Sequence, residues 1–111
     1  MMTHVHASLL LAAALVVLPG ACVAADIAAG QAKAKETCQA CHGLDGNSVA
    51  ADYPKLGGQY PDYLAKALRD YKSGARKNPI MAGFAGALTA KDIENLAAYY
   101  ASQPPVLASK Y

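Results

Sequence analysis

Cys38-Gln39-Ala40-Cys41-His42 is the stretch on which the reading of this chain turns. Two cysteines three residues apart, near the end of a helical segment, put both sulfurs on one face, where they can form thioethers with the two vinyl groups of a porphyrin. A histidine directly after them falls under the ring and can ligate its iron. C-x-x-C-H therefore reads as the attachment site of a c-type haem. The same cysteine pair also suits a redox dithiol or half of a zinc site. The rest of the chain weighs between these readings.

Residues 7–18 form a small and apolar run broken by one Ser, followed by Pro19-Gly20 and by Val23-Ala24-Ala25 before Asp26. That pattern predicts a secretory signal peptide over residues 1–25, cleaved after Ala25, and hence a periplasmic product. Its start carries His4 and His6 but no Lys or Arg. The run is shorter than the roughly 20 residues a membrane-spanning helix needs, so retention as an anchor is the lesser alternative. Leu18-Pro19-Gly20-Ala21-Cys22 loosely resembles a lipoprotein signal, with Pro19 where that signal prefers leucine.

Cleavage leaves residues 26–111, enough for one small domain. A chain of this size buries little of its own surface and usually needs a disulfide, metal or cofactor to hold it. Cys38 and Cys41 are the only cysteines left, and a bond between such close neighbours would tie no distant segments together. A covalent haem packed between apolar side chains would supply the missing core. Every Lys, Arg, Asp and Glu lies after the signal, so the mature chain keeps the formal net charge of +2. So mild a balance argues against nucleic-acid binding, which wants a dense basic stripe. It is compatible with docking on an acidic partner, because local patches matter more than the sum.

Asp26 is placed to cap a first helix whose Ile27, Gly30, Ala34 and Cys38 share one face. Gly30 on that face costs helix stability, so it marks either a close packing contact or a merely tolerated glycine. From Gly43 to Tyr60 the density of Gly, Asp, Asn and Pro predicts loop. Pro61 opens a second helix with Leu64, Ala67, Leu68 and Tyr71 as its buried stripe; Asp62, Lys66 and Asp70 form a solvated ladder, and Gly74 ends it. Residues 78–86 show neither helical nor strand period, yet are too apolar for a free surface loop. They are expected as a loop lying against something apolar. Thr89-Ala90-Lys91-Asp92 is a capping-box variant that starts a third helix, with Ile93, Leu96, Ala97 and Tyr100 on one face and Pro104-Pro105 as the stop. The expected fold is all-α, three main helices and long loops wrapped round one covalently bound haem.

Counting narrows the iron's ligands. Once the signal leaves with His4, His6, Met1 and Met2, His42 is the only histidine and Met81 the only methionine. A monomer then has no bis-His option. Met81 becomes the expected sixth ligand, with a lysine amine or water as the alternatives. A lone Met in an apolar segment is normally core filling. Here it sits in the one segment that needs an apolar surface to lie on. Thioether sulfur is a soft ligand that favours ferrous iron, so His/Met ligation gives a higher potential than bis-His. With both axial positions filled, electron transfer is the task that remains.

Cys38–His42, Tyr53-Pro54-Lys55-Leu56-Gly57-Gly58-Gln59, the surroundings of Met81, and Leu96-Ala97-Ala98-Tyr99-Tyr100 together resemble the small bacterial class I cytochromes c. Most of all they resemble one half of the tandem two-haem cytochromes, or their single-haem relatives. The resemblance implies that Cys38 and Cys41 hold the haem, with His42 proximal and Met81 distal. It implies that Pro54 offers its carbonyl to the other imidazole nitrogen, that Leu56 packs on the ring, and that Gly30 lets the first helix cross the last beside Leu96 and Tyr99. The chain departs from the family in having Ala34 where an aromatic is common, and it carries a single attachment motif. The expected function is a periplasmic carrier of one electron and not an enzyme. Its donor would be a dehydrogenase or quinol-oxidising complex, and its acceptor an oxidase or reductase. The alternative is the haem subunit of a multi-subunit dehydrogenase, for example one oxidising sulfur compounds. A thiol–disulfide protein using the cysteine pair is more remote, since the βαβ context is missing. Lys33, Lys35, Lys55, Lys72, Arg76 and Lys77 are the candidates for steering a partner, with a merely solvated surface as the alternative.

Overall fold

A single aspartate sets where the folded domain starts. In the computed structural model, which describes residues 13–17 and 24–105, the Asp26 carboxylate accepts from the Ala29 amide at 3.0 Å and caps helix α1 (Ile27–Thr37). One further turn, α2 (Gln39–His42), follows almost directly and carries the second cysteine and the histidine. Helix α3 (Pro61–Ser73) opens with Pro61 in its first turn and ends at Gly74, whose φ of 84° suits glycine. Then come α4 (Pro79–Gly86) and α5 (Ala90–Ala101). Thr89 caps α5 by accepting from the Asp92 amide at 3.0 Å, while the Asp92 carboxylate accepts from the Thr89 amide at 3.0 Å. Among the described residues there is no strand, and the fold is all-α.

Helix α5 is the centre of the core. Its Ile93, Leu96, Ala97, Tyr99 and Tyr100 are buried against Ala34 of α1, Leu64 and Ala65 of α3, and Leu88. The crossing of α1 and α5 is close because Gly30 has no side chain: a Cβ there would stand 2.1 Å from the Asn95 carbonyl oxygen and 2.8 Å from the Tyr99 Cβ. Beside this crossing, the buried Asn95 side chain accepts from the Asp26 amide at 2.8 Å. One side chain thus ties the start of the domain to its last helix.

Three expectations need correction. The segment expected as a loop over residues 78–86 is helix α4, capped by Asn78, whose side chain accepts from the amides of Ile80 and Met81 at 3.0 Å each. Its residues are small or apolar all round, so no hydrophobic period betrays it, and Ala85 alone among them is buried. The first helix stops at Thr37, and Ile27, expected on the buried face, is exposed. On α3 the stripe is shifted: Leu64 and Ala65 are buried, whereas Ala67, Leu68 and Tyr71 are half-buried. The expectations placed on Met1, Met2, His4, His6 and Cys22 lie outside the described residues. No helix among the described residues is long and apolar enough to cross a membrane.

Candidate cofactor site

The α1–α2 junction builds the site. Cys41 and His42 amides donate to the Cys38 carbonyl at 3.3 and 3.0 Å, which curls the five-residue motif into one turn. Both cysteines are half-buried thiols with no disulfide between them. Burial pushes the Cys38 thiol pKa up, against the opposing pull of the Thr37 hydroxyl, the Tyr100 hydroxyl and Lys33.

The His42 ring is buried, and its Nδ1 lies 2.8 Å from the Pro54 carbonyl oxygen. A carbonyl can only accept, so Nδ1 is the nitrogen that donates, and Nε2 is the one left to face a ligand. The loop that presents Pro54 is itself fixed. Leu56 and Gly57 amides donate to the Gly46 carbonyl at 2.8 and 3.1 Å, and a Cβ on Gly46 would stand 2.4 Å from the Gly57 nitrogen. Leu56 is half-buried against the core. From the other side, Ser48 and Val49 amides donate to the His42 and Cys41 carbonyls at 2.7 and 3.1 Å.

Helix α5 adds a support that sequence reasoning did not find. The Tyr100 hydroxyl donates to the Gly43 carbonyl at 3.1 Å, and the Tyr99 hydroxyl donates to the next carbonyl, Leu44. In return the Gly58 amide donates to the Tyr100 carbonyl at 3.0 Å. Burial, and after it the neighbouring Cys38, pushes the Tyr100 phenol pKa far above its ordinary value, so the hydroxyl stays a donor. The signal was available in principle: two adjacent buried tyrosines each require an acceptor. Which carbonyls would serve was not readable. Tyr53 is half-buried, and the Cys41 sulfur beside its phenol raises that pKa.

Met81 lies apart from these residues in the chain, in the first turn of α4, which packs on α3. It is half-buried, while its neighbours Ile80 and Phe84 are exposed, as are Val49, Tyr60 and Tyr63. Two uncombined sulfurs and the Nε2 of an imidazole held through Nδ1 are the donor set a covalently held haem needs. Two shallow cavities of about 250 and 140 Å³ lie elsewhere, beside Arg69 and Ile93 and beside Gly58 and Pro105. Neither is lined by the cysteines, His42 or Met81.

The profile of the family described as cytochrome c oxidase, cbb3-type, subunit III matches residues 25–99. The chain belongs to the class I c-type cytochromes. Haem c, covalently bound, is the cofactor of this family. Cytochrome c-554(548) of Halomonas halodenitrificans is 45% identical over 83 residues, which cover 99% of that protein and 72% of this chain. The crystal structure of reduced cytochrome c4 from Pseudomonas stutzeri superposes with a TM-score of 0.67 at 44% identity, over 73% of this chain and 47% of that one. Thiosulfate dehydrogenase from Marichromatium purpuratum superposes with a TM-score of 0.67 at 30% identity, over 72% of this chain and 19% of that one. The chain spans less than half the length of the first curated cytochromes c4 it matches.

Proposed function

We propose that this protein is a periplasmic carrier of one electron, its haem held through Cys38 and Cys41 and its iron ligated by His42 and Met81. The bond from His42 Nδ1 to the Pro54 carbonyl carries the reading, because it presents Nε2 as a ligand and holds the ring in one orientation. A carbonyl accepting from the imidazole N–H also raises the ring's donor strength. The cofactor's own chemistry is the reversible gain of one electron. The chain's residues would do the rest: Cys38 and Cys41 would anchor the haem, His42 and Met81 would ligate its iron, and Leu56 would pack beside it. With His42 and Met81 both engaged, the protein would shuttle charge and leave no place for a substrate at iron. A dehydrogenase or quinol-oxidising complex would be the donor, and an oxidase or reductase the acceptor. Export by a signal peptide ending at Ala25 would place it in the periplasm.

A second reading, haem subunit of a sulfur-compound dehydrogenase, draws support from the likeness to thiosulfate dehydrogenase. A partner chain that stays bound through purification would favour it over a free carrier. The ligand set is tested with Met81→Ala. Haem should stay attached, the weak thioether-to-iron absorption band should vanish, and the potential should fall by on the order of 0.1 V, within the roughly 0.8 V that axial ligands span. An unchanged band in that variant would remove Met81 from the ligand set.

A further inference from the structure

Lys72, expected from the sequence as a docking residue, has its ammonium engaged inside the molecule. It lies in the last turn of α3, and its Nζ donates to the Gly86 carbonyl at 3.1 Å and to the Leu88 carbonyl at 2.5 Å. Gly86 is the last residue of α4, and Leu88 directly precedes Thr89, the cap of α5. Carbonyls beyond the end of a helix have no amide partner within it and carry partial negative charge. Among the described residues no turn or loop amide donates to either oxygen. One cation therefore fastens the α4–α5 junction to α3.

Helix α4 packs on α3, the helix that bears Lys72, and Ala85 is its one buried residue. Asn78 fixes its first turn and Lys72 its last. A segment with few buried contacts opens locally at small cost, and each opening would carry the Met81 sulfur away from the iron.

We propose that Lys72 is a positioning residue for Met81: its ammonium clasps the end of α4 and so sets how readily the thioether leaves the iron. The proposal rests on Met81 being the axial ligand. It is tested on the ferric holoprotein by the rate of imidazole binding, which requires that sulfur to leave, together with hydrogen exchange at the α4 amides. Lys72→Leu keeps the apolar stem and removes the charge. It should bind imidazole about tenfold faster, equivalent to about 1.4 kcal/mol. Its α4 amides should exchange faster by a similar factor while those of the buried stretch of α5 stay unchanged. Lys72→Arg, which restores donors and charge, should bring both back toward wild type. Met81→Ala separates the two claims: if it binds imidazole no faster than wild type, Met81 is not the ligand and the assignment beneath the proposal fails. If Met81→Ala is fast but Lys72→Leu binds imidazole at the wild-type rate, the clasp does not govern the ligand and the proposal is overturned, whatever the exchange shows.

Discussion

A single carbon added at Gly30 would meet the Asn95 carbonyl oxygen at 2.1 Å, and that oxygen belongs to a helix backbone that cannot step aside. Alanine is the better helix former by about 1 kcal/mol, which would favour Gly30→Ala in an isolated helix. Overpacking a tight contact costs about 1–3 kcal/mol, more here because two helices must part. The net effect should be a loss of stability, read as a fall in Tm at about 4–8 °C per kcal/mol for a domain of this size. A Tm equal to or above wild type would show that α1 and α5 separate freely. Residue-scale chemistry was the most legible layer of the chain. A helix-face glycine was compatible with close approach, and, with the signal removed, counting left His42 and Met81 as the expected ligands beside a lysine amine or water. The hydroxyl partners of Tyr99 and Tyr100 were invisible at this scale, since nothing near them in sequence names an acceptor.

At the scale of elements, the helix ends read clearly wherever a side chain marks them. Asp26, Pro61, Gly74 and the Thr89–Asp92 box each stand where their chemistry places them. The box also makes a pH-dependent contribution. The Thr89 backbone amide, donating to the Asp92 carboxylate, holds that carboxyl below the usual range. The charged form is the one that caps, so the stabilisation is complete above the ordinary carboxylate value of about 3.9 and fades as pH falls through the lower folded value. Asp92→Ala should cost about 1 kcal/mol at neutral pH, the scale of a lost cap. That gap should narrow below about pH 4 in paired denaturation curves, by the same linkage. A gap that stays constant with pH would mean Asp92 acts by packing and not by charge. Helix α4 escaped because its cue is a cap with no periodic pattern behind it: Asn78 and Pro79 start the helix, but its apolar residues surround the axis evenly.

For the whole molecule, the open question is which face meets a partner. Several basic residues are already engaged: Lys33 with Glu36 at 3.4 Å, Lys55 with the Asn47 carbonyl at 3.0 Å, and Lys72 with the α4–α5 junction. Arg76 lies 4.8 Å from the centre of the Tyr71 ring and 3.5 Å from the Tyr63 hydroxyl. Among the described residues, no ion pair takes up Lys35 or Lys77. If charge steers encounter, Lys77→Glu should slow association with the redox partner about three- to tenfold and leave spectrum and potential untouched. Rates should also fall as salt shortens the Debye length below roughly 10 Å, its value at 0.1 M. Rates indifferent to both changes would assign docking to the exposed apolar side chains.

The sequence by itself determined the all-α class, the caps of α1 and α5, the span of α3, and a haem-binding motif. Those follow from spacing and from turn chemistry, both of which are local. Only the tertiary structure decided that residues 79–86 form a helix and that Lys72 turns inward to its end. It alone paired Asn95 with the Asp26 amide 69 residues away, and the Tyr99 hydroxyl with a carbonyl 55 residues away. A backbone oxygen left unmet at a helix end or loop start draws whichever donor the folded chain brings near. That donor is chosen by the packing of α5 against α1 and α3, which no short window of sequence contains.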